Sequence, residues 1–333
     1  MKKLTYSAFL KNVKDTIKHY DMLRKGDRVL VAVSGGADSV CLMKSLLEIR
    51  GSLGVEVIIA NLDHGLRGAE SAADSRFVKD ISKQLNAECV MGRCNVKKTG
   101  KKDLSTEERA REERYRFLIR TAKKKKCGVI ATGHTMDDQA ETVLMKILHG
   151  SSISGLTGIP PVREEGVLRI IRPLIRIERK NILDFLKDSK LSFVEDSSNK
   201  DMNFRRNRVR LDILPYLEKY SPKLRRTLVN LSDTLREDLF FIEEAKKKVL
   251  VNKGLEGSEI RVSDLISQSR TVRKDVLKDL FAKTGGNIKK LTYRHWIDMD
   301  YFVRTASAGQ SLDLPGKVKI VKTKDKIVFE KKM

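Results

Sequence analysis

The 333 residues include four cysteines, Cys41, Cys89, Cys94 and Cys127, and no two of them form a C-x-x-C pair. That excludes a disulfide-stapled scaffold and a zinc module of the usual ligand spacing. Free thiols suit a reducing compartment, so a cytoplasmic protein is expected. No apolar run approaches the ~20 residues that a bilayer span needs, so no membrane partner is expected. Met1 to Lys25 is dotted with lysine, carries Asp15 and Asp21, and lacks the apolar centre of a signal peptide. Aromatics are scarce at 6%, which gives no compositional signal of a stacking platform for single strands. Acidic residues do not balance basic ones: 68 Lys and Arg against 44 Asp and Glu leave a formal charge of +24. The surplus favours a polyanionic partner, whether RNA, DNA or an anionic surface, and says nothing about fold.

What is present is enough apolar residue, 40%, for a buried core, and a length that fits about two domains. A leading helix is expected within Lys2 to Met22. Arg28 to Val33, Val55 to Ala60, Glu88 to Met91 and Gly128 to Thr132 read as short buried strands, each followed by a helical pattern. The helix after Ser105 opens on a capping box with Glu108. Strand–helix alternation implies an α/β fold, a doubly wound parallel sheet covered on both faces. Val167 to Ile171 is a further strand, stopped by Pro173, and Ile177 to Lys187 is helical. The stretch from Glu195 to Arg210 is polar and irregular, then basic. We therefore expect an N-terminal domain over 1–215, a helical connector over 216–250 and a small α+β domain over 251–333.

Ligands of such sheets bind beyond the carboxyl ends of the strands. Three polar loops stand there: SGGADS, NLDHGLRG and GHTMDD. In the first, Gly35 and Gly36 let backbone N–H groups approach an anion, the following helix start adds positive potential, and Ser34 and Ser39 add hydroxyls. This is a phosphate cradle without the GK[ST] of a Walker A loop and without GxGxxG. Asp38 fits an anion site only if a cation such as Mg²⁺ lies between it and the phosphates. In the third loop, Asp137 and Asp138 each share a helix face with Glu141. They could bind an ammonium group, accept its proton or help hold Mg²⁺, or simply complement the helix dipole. His64 could contact a nucleotide or cap its strand, and His134 goes with the acidic loop. Arg111 and Arg114 could reach an anion or pair with glutamates on their own helix. Cys41, set among Val40, Leu42 and Leu46, reads as a buried structural thiol.

SGGADS resembles the pyrophosphate loop of the N-type ATP pyrophosphatases. Five later stretches narrow the likeness: LDHGLR (Leu62 to Arg67), EERAREERYRFL (Glu107 to Leu118), GHTMDDQAET (Gly133 to Thr142), RPLIRIER (Arg172 to Arg179), and EDSSN…RRNRVR…LP (Glu195 to Pro215). The ordered set resembles the tRNA(Ile)-lysidine synthase family over about the first two-thirds of the chain. The resemblance implies that ATP, with Mg²⁺, adenylates the C2 oxygen of the wobble cytidine in a CAU-anticodon tRNA(Ile). Free L-lysine then displaces AMP through its ε-amine. It implies nucleotide contacts at Ser34, Gly35, Gly36, Ala37, Asp38, Ser39, His64 and His134, with Mg²⁺ at Asp38. Asp38, Asp137, Asp138 and Glu141 become the catalytic group. Arg111 and Arg114 turn to phosphate or the lysine carboxylate, and Arg206, Asn207 and Arg210, matching RN…R, to nucleotide or tRNA. The final third, loosely similar to the family's first C-terminal domain, is expected to bind tRNA, and a homodimer is compatible with the sequence. A tRNA thiolase with the same ATP chemistry would need paired cysteines. A small-molecule adenylating enzyme would leave +24 unexplained, and an inactive tRNA binder would leave SGGADS and the acidic loop unexplained.

Overall fold

In the computed structural model, which describes residues 4–65, 69–94, 105–194, 202, 204–251 and 258–332, the apolar run after Arg28 becomes the pivot of a six-stranded sheet. The elements run α1 (Tyr6–His19), β1 (Arg28–Ala32), α2 (Ala37–Leu53), β2 (Glu56–Asp63), α3 (Ala69–Gln84), β3 (Cys89–Arg93), α4 (Thr106–Lys124), β4 (Val129–Ala131), α5 (Met136–Leu148), α6 (Ile153–Leu156), β5 (Val162–Glu165), β6 (Leu168–Ile171) and α7 (Arg179–Asp188). Strand order is β3-β2-β1-β4-β6-β5. Every pairing is parallel except the last, where β5 returns antiparallel to β6. The sheet is thus mostly parallel, with an antiparallel edge that the alternation did not signal. VREE is too charged to read as a strand, but charge on an edge strand is what keeps other chains from pairing with it.

Period-two alternation sends residues of one strand into two cores. Val29, Val31, Ile59, Val129 and Ile171 pack with α1, α2 and α7 on one face. Leu30, Ile58, Ala60, Ile130 and Ile170 pack under Phe117, Leu118 and Ala122 of α4 on the other. Each fully buried aliphatic or Phe side chain contributes about 1.5–3 kcal/mol relative to exposure. Cys41 is buried in the first core, as expected, and burial pushes its thiol up. The sheet turns about β1, which has β2 on one side and β4 on the other. That is a topological switch, and the crevice it makes lies beyond the ends of β1 and β4.

After α7 the chain was expected to be irregular. From Arg205 it is instead helical: α8 (Arg205–Arg208), a π-turn over Val209–Ile213 and α9 (Leu214–Glu218). Pro215, in the first turn of α9, has no N–H for an i−4 carbonyl, and a widened turn before it absorbs that loss. The EDSSN motif at 195–199 lies outside the described residues, as do 66–67 of LDHGLR. Next comes α10 (Leu224–Val251), within which the chain divides into two compact units, Met1–Asp233 and Thr234–Met333. The second unit holds β7 (Glu259–Arg261), α11 (Val262–Ile266), α12 (Arg270–Lys283), α13 (Tyr293–Thr305), β8 (Ser311–Leu314), β9 (Val318–Lys322) and β10 (Lys326–Lys331). Its strands form an antiparallel sheet ordered β7-β10-β9-β8. Leu280, Phe281, Val303, Ile327 and Phe329 form its core.

Candidate active site

The turn after β1 is held by its own serines. Ser34 N–H donates to Ser39 Oγ at 3.1 Å, and Ser39 Oγ donates to the Gly36 carbonyl at 2.8 Å. Gly35 takes φ +98°, in the region open to glycine, and its carbonyl accepts from Val194 N–H at 3.0 Å. Gly36 is the N-cap of α2 and no side chain caps it among the described residues. The N–H groups at the start of this 17-residue helix are therefore available to an anion.

The turn after β4 lies directly against it. A Cβ on Gly133 would sit 3.2 Å from the Asp38 carbonyl and the Ser39 nitrogen, both backbone. Gly133→Ala is expected to push the two loops apart by a few tenths of an ångström. We expect about tenfold weaker ATP binding, ~1.4 kcal/mol, with the thermal unfolding transition kept. Isothermal titration with ATP checks it, and unchanged affinity would refute the close approach. After Gly133, Thr135 and Asp138 form a capping box at the start of α5: Asp138 N–H donates to Thr135 Oγ1 at 3.3 Å and Thr135 N–H to Asp138 Oδ2 at 2.9 Å.

The carboxylates of the two loops are engaged by arginines. Asp38 pairs with Arg179 at the start of α7. Asp137 accepts the Arg179 backbone N–H at 2.7 Å and the Arg225 guanidinium of α10 at 2.5 Å, and Arg225 also holds Glu218 at 2.8 Å. Asp138 Oδ1 accepts Arg206 at 2.7 Å. Glu141, fully buried, accepts Arg206 Nε at 2.7 Å and Arg210 Nε at 2.6 Å. Burial pushes the Asp38 carboxyl up to about 6. Arg179 opposes that rise, and Asp138 and Asp137 add to it. Burial would raise Asp138 too, but Arg206, His134, the Thr135 N–H and Arg210 outweigh it and hold Asp138 below the usual carboxylate range. Neighbouring acids thus differ in character: Asp138 stays ionised, and Asp38 sits where added positive charge stabilises it.

His134 accepts or donates at Thr132 Oγ1, 3.0 Å away, and burial pushes it down to about 4. Asp138 opposes that fall, while Arg172, Arg111 and Arg206 deepen it, so the ring is neutral at pH 7. His64, also pushed down to about 4 by burial and by Arg114, lies at the end of β2 with Arg114 Nε 3.4 Å from its Nε2. The two residues singled out separately as His64 and Arg114 are therefore one contact. Arg111 stacks over Tyr115 at 5.5 Å, as does Arg163 at 5.0 Å. Ser34–Ser39, His134, Asp137, Asp138, Glu141, Arg206 and Arg210 thus gather at one end of the sheet. Asn207, expected to face a ligand, is buried because the helical turn points it inward. Arg179 and Arg225 had no role in the sequence reading. Arg179 closes the RPLIRIER stretch, a usable signal, whereas nothing local marked Arg225.

Residues 5–217 match the family model of the PP-loop domain, ATP_bind_3. The chain is 31% identical over 323 residues to the tRNA(Ile)-lysidine synthase of Clostridioides difficile, covering 95% of this chain and 69% of that one. The chain belongs to the tRNA(Ile)-lysidine synthase family. The Bacillus subtilis member is 32% identical over 327 residues, covering 96% of this chain and 69% of its own. The Clostridium perfringens member is 38% identical over 240 residues, covering 72% of this chain, and the alignment spans half of its own length. Among solved structures, U34-tRNA thiolase NcsA from Methanococcus maripaludis shares the fold, with a TM-score of 0.58 and 20% identity over 70% of this chain and 80% of that one. In this lysidine synthase family member the crevice of the PP-loop sheet is therefore the turn from Ser34 to Ser39 with the acidic start of α5 across from it.

Proposed function

We propose that the protein uses ATP to adenylate the C2 oxygen of the wobble cytidine in CAU-anticodon tRNA(Ile), and then ligates free L-lysine at C2. In the first step that oxygen attacks the α-phosphorus and pyrophosphate leaves. In the second the lysine ε-nitrogen bonds to C2, the C–O bond breaks, AMP leaves and the amine gives up its protons. A carbonyl oxygen leaves poorly and an adenylate leaves well, which is why ATP is spent. The observation that carries this reading is the contact of the two loops at Gly133: a glycine-walled anion cradle, with an acidic helix start across from it. A cradle alone would serve any phosphate ligand. Paired with carboxylates it serves a reaction that must handle both phosphates and a cationic amine.

Ser34 to Ser39 would hold the phosphates, and neutral His134 would offer a hydrogen bond without adding charge. Mg²⁺ asks for only one or two carboxylates beside the phosphates, and Asp38 fits, being an oxygen ligand whose ionised form burial and Asp138 and Asp137 disfavour. When bound there, the ion would neutralise charge on the phosphate oxygens. Asp137, Asp138 and Glu141 form the acidic group assigned to lysine. At pH 7 only about one lysine amine in 2,500 is neutral, and producing that form costs about 4.6 kcal/mol unless the site helps. Arg206 keeps 40% of its side chain exposed while holding two of those acids, so it can face both the amine site and an RNA loop. Cys41 and Cys127 are buried, which does not suit a sulfur carrier at this site.

The test is pyrophosphate release from ATP, with CAU-anticodon tRNA(Ile) and lysine omitted in turn. Release that requires the tRNA, followed by entry of labelled lysine at the wobble base, is expected. Release that requires tRNA without lysine entry would keep the adenylation and overturn the nucleophile.

A further inference from the structure

We propose that Arg179 is a catalytic residue with two positions: on Asp38 before the nucleotide arrives, and on the ATP phosphates once Mg²⁺ takes that carboxylate. The inference rests on the ATP and Mg²⁺ reading above, which gives Arg179 no task of its own.

The residue is anchored by its backbone and free at its tip. It opens α7 directly after the N-cap Glu178. Its N–H donates to Asp137 Oδ2 at 2.7 Å, and two residues earlier the Ile177 carbonyl accepts from Met136 N–H at 3.0 Å. Glu178 is itself tied to Arg226 of α10 at 3.0 Å. The backbone at Arg179 is thus stitched to the start of α5, which fixes where its guanidinium can reach. The side chain is 40% exposed, and among the described residues it donates to Asp38 alone. A guanidinium carries five N–H donors in a planar fork, so donors remain for a ligand.

The other arginines of the site are spent. Arg206 and Arg210 each hold Asp138 and Glu141, and Arg225 holds Asp137 and Glu218. Among the described residues, Arg179 is the one of the four that meets a single carboxylate, and that carboxylate lies in the phosphate turn. Left bare there, Asp38 would repel ATP, and Arg179 removes the repulsion while the site waits. Mg²⁺ changes the balance. The ion needs oxygen ligands at ~2.0–2.1 Å in near-ideal octahedral geometry, and two cations on one carboxylate repel each other. The guanidinium, on a flexible stem, is the one that gives way. Its nearest other anion is the phosphate chain beside Asp38, whose non-bridging oxygens suit a bidentate fork. As the C2 oxygen bonds to the α-phosphorus, the bond to the bridging oxygen breaks and pyrophosphate leaves with the electron pair. A guanidinium on those oxygens stabilises the charge that develops.

The test is a charge cycle in ATP binding, by titration calorimetry on the full chain with EDTA present. It compares the parent with Arg179→Gln, Asp38→Asn and the double variant Asp38→Asn/Arg179→Gln. Arg179→Gln should bind ATP about tenfold more weakly, because Asp38 is then bare beside the phosphates. Asp38→Asn should bind about tenfold more tightly, because the guanidinium is released to the phosphates. The double variant should return to within about threefold of the parent. With Mg²⁺ and CAU-anticodon tRNA(Ile), Arg179→Gln should release pyrophosphate about 10²–10³-fold more slowly. Arg179→Lys keeps the charge and loses the fork, so its ATP affinity in EDTA should stay within about threefold while release falls about tenfold. It also serves as the second variant should Arg179→Gln not fold. A double variant as weak as Arg179→Gln would make the arginine a structural part of α7 and overturn the proposal. So would Asp38→Asn binding no tighter than the parent, or normal release by Arg179→Gln. If the parent binds ATP but releases no pyrophosphate with the tRNA, the lysidine reading falls, and the EDTA cycle alone upholds or overturns the exchange. If the parent binds no ATP, both fall.

Discussion

Replacing Asp38 with alanine is expected to lower tRNA-dependent pyrophosphate release by about 10³-fold, on the scale of removing one preorganised electrostatic group from a site where charge develops. Retention of tRNA on a filter should stay within about twofold of the parent, because the RNA contacts proposed here lie elsewhere. Two features set the size of the effect. Asp38 lies in the phosphate turn itself, on the first turn of α2, and it is the carboxylate proposed to hold Mg²⁺. The fold does not need it: burial raises it to about 6, so its ionised form is less stable here than in water. The sign follows. Between about pH 4 and 6 the folded chain keeps a proton that the unfolded chain has lost, so raising pH through that window weakens the fold, and the loss is complete above it. Asp38→Asn should remove that dependence and melt no lower than the parent at pH 7. Activity runs the other way. Proton and Mg²⁺ compete for the same oxygens, so turnover should fall as pH drops through about 6, with excess Mg²⁺ moving the fall lower. Normal turnover by Asp38→Ala would sink the assignment.

How much of this could be read from sequence depends on how far apart partners lie. RVLVAV and the run after Gly128 are buried strands that end in polar loops, and that was enough to put SGGADS and GHTMDD at one edge of one sheet. The Ser105 capping box was legible because both of its members are local. Its counterpart at Thr135 was hidden because Asp138 drew attention as chemistry, whereas one of its oxygens caps the helix and the other meets Arg206. β2 runs three residues past its predicted end because Asn61, polar in a buried strand, donates to the Val33 carbonyl at 2.8 Å and accepts from Ser75. RRNRVR looked irregular because its charge had no visible use. The carboxylates that pair with it stand 65 to 72 residues earlier. Arg225 is 88 residues from Asp137, and no spacing rule connects them. Pairing across such distances is a property of the fold, so a sequence shows the charges and not their partners.

Glu141 is where that long-range pairing should matter most for stability. Glu141→Ala is expected to destabilise the first unit by about 3 kcal/mol. Breaking a buried pair from one side costs about 3–5 kcal/mol, and the lower end applies because Arg206 and Arg210 keep 40% and 33% of their side chains in solvent. The carboxylate is fully buried and serves both arginines at 2.6 to 3.1 Å. Burial alone would lower the Arg210 guanidinium, and Glu141, together with Asp138 and Asp38, more than offsets it. Without Glu141 only Asp138 would remain to balance both, and α8 would be tied to α5 by the Arg206–Asp138 pair alone while Val209 and Leu214 still pack there. For a unit of this size the shift is about 6–12 °C in Tm, read as the transition of the first unit by scanning calorimetry on the full chain. The second part of the prediction separates folding from function. Removing both partners, as in Glu141→Met/Arg210→Met, leaves no buried charge without its mate and replaces a salt bridge with apolar volume, which is often neutral. That double variant should recover at least half of the lost Tm yet stay as inactive in lysine ligation as Glu141→Ala. A Glu141→Ala shift under 2 °C would mean the arginines find water at no cost. Recovered ligation in the double variant would mean that Glu141 serves only the fold, and that the amine is handled by Asp137 and Asp138 without it.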